Sequence, residues 1–155
     1  MQFEYCKDLK RCYMGNAPTL SELNKVFGEN ITESWVAIQI RDLSEFSGVK
    51  SKLNPTQIDM LAKVIIASFY YLKVTEIMHF FLLFKSGKYS SFYGAVDGLV
   101  ITKALQDFCR DRNERLYQFE QEERKRIEEA ERERSRKNAI SYDEYLAGKK
   151  AGIYY

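Results

Sequence analysis

Apolar residues recur every three or four positions along most of this chain, and the runs they form are bracketed by helix caps and stops. In TLSELNKVFG, Thr19 with Glu22 three residues on makes a capping box, and Gly28 is a stop. NITESWVAIQIRDLSEFSG follows, with Val36, Ile40, Leu43 and Phe46 at helical spacing and Gly48 as its end. In NPTQIDMLAKVIIASFYYL, Asn54 is the N-cap and Pro55 suits the first helical position. Its face of Ile58, Leu61, Ala62, Ile65 and Phe69 is widened by Val64 and Ile66, which predicts a helix surrounded by others.

The run VTEIMHFFLLFKSG carries one polar side chain, His79, between Ile77 and Phe84. Periodicity alone does not separate a buried helix from a buried strand there. A cap at Thr75, a stop at Gly87 and helical neighbours decide for helix. Asp97 then caps a helix expected to reach about Lys137, with Ile101, Leu105 and Phe108 as core contacts and Leu116 and Phe119 as a sparser stripe.

From Glu120 to Lys137 the pattern changes to seven acids and seven bases, with Ile127 the only large apolar residue. Glu120–Arg124, Glu122–Arg126, Glu128–Arg132 and Glu133–Lys137 are acid-first pairs four residues apart, each contributing about 0.2–0.5 kcal/mol to a helix. The apolar seam of a coiled coil is absent. A solvated single helix is expected, about 27 Å long at 1.5 Å per residue. The closing ISYDEYLAGKKAGIYY has a second capping box, Ser141 with Glu144, and a short apolar face of Tyr142, Tyr145 and Leu146 before Gly148. With Ile153, these residues are the candidates for docking on a partner or a second copy. The expected architecture is all-α: an arm over 1–14, a compact helical bundle over 15–118, a charged solvent-exposed helix over 119–138 and a docking segment over 139–155.

Composition narrows the class of function. A hydrophobic fraction of 45%, with ten Phe, eleven Tyr and one Trp, is enough for a real core. The net charge of +2 provides no global field to attract nucleic acid or anionic lipid, so any anion site must be local. Cys6, Cys12 and Cys109 form no C-x-x-C pair and are expected as reduced thiols of a cytoplasmic protein. The N-terminal residues lack the apolar core of a signal peptide. Lys63, Lys73 and Glu76 break the most apolar stretch well short of the ~18 residues a membrane span needs, so no membrane association is expected.

Catalytic motifs are missing: no nucleophile elbow, P-loop or dinucleotide fingerprint is present. The single His79 lies in an apolar run with no second ligand at metal spacing, and reads as a core histidine. A non-enzyme without metal or cofactor is expected. The stretch KSGKYSSFYGAVDG is different, because Lys85, Lys88, Tyr89, Phe92 and Tyr93 set cations beside flat rings. Single-stranded nucleic acid binders use that combination, with amines on phosphates and bases stacked on rings. Lys103, Arg110 and Arg112 extend the candidate patch if the fold gathers them. The simpler reading is a connector: Gly87 ends a helix, Phe92 and Tyr93 plug the core, and Gly94 takes a positive φ.

Residues from about Trp35 to Arg115 resemble a group of small proteins carried by phages and integrative elements of gut anaerobes, labelled as a domain of unknown function. The resemblance rests on LKVTEI at 72–77, FKSGKYSSFYGAVD at 84–97 and ITKALQDFCRDRNE at 101–114. Its most specific part is Gly87, Tyr89, Phe92, Tyr93 and Gly94 ahead of Ile101, Leu105, Phe108 and Arg112. Members commonly have Gly where this chain has Ser90, which implies a stiffer loop here. The resemblance implies a helical fold and, loosely, a replication accessory protein touching single-stranded DNA or a replication protein. The alternative is a protein–protein adaptor or inhibitor of a host system.

Overall fold

The computed structural model describes Glu4 and residues 7–153, and every regular element among them is a helix. Cys6 lies outside the described residues. The helices are α1 (Leu9–Met14), α2 (Leu20–Phe27), α3 (Glu29–Phe46), α4 (Pro55–Ser68), α5 (Val74–Lys85), α6 (Gly98–Asn138) and α7 (Tyr142–Lys150). Contacts divide the chain into two units, Met1–Leu116 and Tyr117–Tyr155.

In the first unit, the expected caps set the boundaries. Thr19 and Glu22 close a capping box on α2, and Asn54 with Gln57 does the same on α4. Satisfying the first-turn N–H groups in this way is worth about 1 kcal/mol per helix. The cap of α5 lies two residues before the expected one. Lys73 is the N-cap and Glu76 reaches back to its N–H at 2.8 Å, whereas Thr75 lies inside the helix and donates to Cys12 O at 2.8 Å. Thr75 is drawn away because α1 needs an anchor. Cys12 Sγ donates in return to Thr75 O at 3.3 Å, and Lys73 Nζ donates to Tyr13 O and Gly15 O at 2.7 and 2.8 Å. These bonds satisfy carbonyls at the end of α1, where a cation is favoured. Part of the expected N-terminal arm is therefore a helix with Cys12 and Tyr13 buried.

α5 is central: Ile77, Phe80 and Phe81 are fully buried, and Phe80 meets Phe108 of α6 edge-on with ring centroids 5.6 Å apart. α3 packs along α4, α2 lies on α3, and α5 meets α1 and α3. Two expectations about faces are corrected. Phe46 is 63% exposed, because α3 turns Thr32, Val36, Ile40 and Leu43 inward and Phe46 falls at the rim. α4 is not surrounded: Ile58, Leu61, Ala62, Ile65 and Phe69 are buried, but Val64 is exposed and Ile66 only half-buried.

α5 stops as expected at Gly87, whose φ of 82° suits glycine. Lys88 N donates to Leu83 O and Gly87 N to Phe84 O, the paired bonds of a Schellman ending. Further on, Val96 N donates to Ser51 O at 2.8 Å, tying the connector to the segment before α4. Asp97 then accepts from Leu99 N at 2.8 Å and starts α6.

In the second unit, residues 124–147 are exposed throughout, as expected of a solvated charged helix. Of the four expected pairs Glu133–Lys137 forms, at 3.0 Å, and Arg126 turns to Glu123 rather than Glu122. On an open helix face neighbours three and four residues away are equally near, so the choice of partner is soft. Ser141 and Glu144 cap α7 reciprocally. α7 runs through Gly148, where a stop was expected, and ends in the Schellman bonds Ile153 N to Gly148 O and Gly152 N to Lys149 O. Gly152, with φ of 72°, is the stop. No helix among the described residues is long and apolar enough to cross a membrane.

Candidate functional site

The cations expected to contact an anion are held by carboxylates. Lys85 pairs with Asp42 and lies 5.7 Å above the Phe46 ring. Lys88 pairs with Asp111 at 3.3 Å, and Arg110 with Asp107 at 2.7 Å. Arg112 grips Glu76 through both oxygens, Nε to Oε1 at 2.6 Å and Nη2 to Oε2 at 3.3 Å. Glu76 is fully buried, so Arg112 is the counter-charge that lets a carboxylate sit in the core. Lys103 is exposed on α6.

The rings of the stretch divide. Tyr89 lies near Phe80 and Phe108, with its hydroxyl donating to Asp111 at 3.0 Å, and burial pushes its pKa up. Phe92 stacks on Phe84 with centroids 5.2 Å apart. Tyr93 is 91% exposed, against the expectation that it plugs the core. Lys88, Tyr89 and Asp111 are thus brought together by the fold, while Tyr93 points to solvent.

His79 is buried, edge-on to Tyr13 and Phe108, and its Nδ1 has no hydrogen-bond partner. Burial, with Lys88 and Arg115 adding, lowers its pKa to about 4. Cys12 and Cys109 are buried thiols, and burial pushes the Cys109 thiol up. Among the described residues no three His, Cys, Asp or Glu side chains gather as metal ligands.

An apolar concavity lies elsewhere, between α1, α2, α3 and α5. It is a groove of about 570 Å³, within the range of binding clefts. Ala17 and Pro18 of the loop after α1, Leu23 and Phe27 of α2, Ile31 and Trp35 of α3, and Val74 and Met78 of α5 line it. Among the described residues that line it, Arg11 is the one that is charged. Two backbone bonds fix the loop beside it: Leu20 N donates to Leu72 O and Val74 N to Pro18 O, both at 2.9 Å. Phe27 and Ile31 are 60% and 55% exposed on its rim, and Val26 beside them is exposed too.

The sequence reading passes over this groove, although α3 carries its signal. Beside the buried stripe of Thr32, Val36 and Ile40 runs a second one, Ile31, Trp35 and Ile38, at spacings of four and three. One helix with two apolar stripes buries one in its own core and offers the other to something else. Tyr142, Tyr145, Leu146 and Ile153 are all exposed in the second unit.

No curated protein and no solved structure matches the chain. A family model described as Family of unknown function (DUF6633) matches residues 52–152, a span that takes in the connector and the α5 wall of the groove but not its α2 and α3 walls. The chain belongs to that family of unknown function.

Proposed function

We propose that this protein is a non-catalytic adaptor that captures an amphipathic, acidic helix of a protein partner in the groove between α1, α2, α3 and α5. The observation that carries the reading is an open apolar trench with a single cation, Arg11, among its lining residues. An amphipathic helix places anchors at i, i+3, i+4 and i+7 into such a trench, and an acidic side chain beside them meets Arg11. The resemblance to proteins of phages and integrative elements supports a replication protein or a host system as the partner, in a cytoplasmic setting.

Contact with single-stranded DNA is the second reading, and exposed Tyr93 with exposed Lys103 favours it. It has less to work with, since Lys85, Lys88, Arg110 and Arg112 each already face a carboxylate. The test is fluorescence anisotropy with two labelled probes, a designed acidic amphipathic helix and a thymidine oligonucleotide. The helix should bind saturably to wild type and to Lys88→Glu, and at least tenfold more weakly to Ile31→Glu. Steeply salt-dependent binding of the oligonucleotide, with none of the helix, would establish the second reading instead.

A further inference from the structure

We propose that the helix which fills the groove is α7 of a second copy of this chain, making the protein a reciprocal homodimer. The inference rests on the groove reading above and puts a second copy, in place of a foreign protein, in the groove. α7 presents Tyr142, Tyr145 and Leu146 at spacings of three and four, so the three side chains share one face. They are 73%, 37% and 36% exposed, and Ile153 just beyond the helix is 68% exposed. The first turn of the same helix carries Asp143 and Glu144. Glu144 is committed to the cap of Ser141, which leaves an apolar face with the Asp143 carboxylate to one side of it, and the groove offers Phe27, Ile31, Trp35 and Met78 for the rings and Arg11 for the carboxylate.

The groove belongs to the first unit and the apolar face of α7 to the second. A second copy covers both. If α7 of each copy enters the groove of the other, the two contacts are identical and related by a two-fold axis, so the assembly closes at two chains. Asp143 opposite Arg11 fixes the direction in which the helix lies, which a purely apolar contact leaves open. The charged segment of α6 balances seven acids with seven bases, so it carries α7 toward another copy without net repulsion between the arms.

Light scattering coupled to size exclusion, at physiological salt, tests the proposal on the full chain. Wild type should elute at twice the 18.2 kDa of one chain. Ile31→Glu, which blocks the groove at an exposed position, and Leu146→Asp, which spoils the α7 face, should each be monomeric. Mixing those two variants should restore a heterodimer, because one supplies an intact α7 and the other an intact groove. A monomeric wild type, or a dimer that survives both substitutions, would overturn the proposal. If wild type is monomeric yet still binds the designed acidic helix, the occupant is wrong and the groove reading stands; if neither association occurs, both fail.

Discussion

At the scale of residues, two buried polar groups hold opposite bargains with the core. Glu76 is fully buried, and its carboxyl group is met by the two-pronged contact from Arg112, itself 5.7 Å from the Tyr71 ring. Arg112→Ala leaves a carboxylate stranded and should cost about 3–5 kcal/mol in a urea melt, while the double variant Glu76→Leu/Arg112→Met should recover most of it. A single-variant loss below about 1 kcal/mol would mean the pair is solvated, as surface pairs are. His79 is kept neutral, and its pKa falls to about 4 through burial. From about pH 6.5 down to about 4 the unfolded chain binds a proton there that the folded chain refuses. Stability from this residue is therefore complete above about pH 6.5 and falls as the pH drops toward 4, by up to about 3 kcal/mol, less where water reaches the ring. His79→Phe should flatten the decline in urea midpoint over that window relative to wild type; identical slopes would contradict the pKa shift.

At the scale of elements, what was legible in the sequence is what local chemistry decides. The capping boxes at Thr19 and Ser141, Asn54 before Pro55, and the stop at Gly87 each depend on residues within a turn of one another. Where an element serves a distant one, the local reading fails. Thr75 looks like a cap but is claimed by Cys12, 63 residues away, and Lys85 looks like a phosphate ligand but is claimed by Asp42, 43 residues away. Phe46 satisfies the spacing of the α3 stripe but lies where the core ends. The groove was not legible for the same reason: its walls come from four helices, and only the second stripe on α3 betrays it locally. The charged part of α6 was legible as an exposed helix, though not in its choice of ion pairs. A peptide of residues 115–140 should be largely helical by circular dichroism at low salt and less so in concentrated salt, as screening weakens its ion pairs. A coil-like spectrum at low salt would mean the segment depends on the rest of the chain.

At the scale of the molecule, the first unit buries one contiguous aromatic core around α5, yet leaves Phe27, Ile31 and Val26 in water beside an apolar trench. The second unit carries a helix face of the matching kind. Membership of a family of unknown function adds no activity to this picture, so the account stands on what the groove can hold. The most direct measurement is amide hydrogen exchange on the wild-type chain saturated with an acidic amphipathic helix, compared with Ile31→Glu treated identically. The account predicts slower exchange in wild type across residues 20–35 and 74–78, with residues 85–98 alike in both. Protection confined to residues 85–98, or none along α2 and α3, would contradict it.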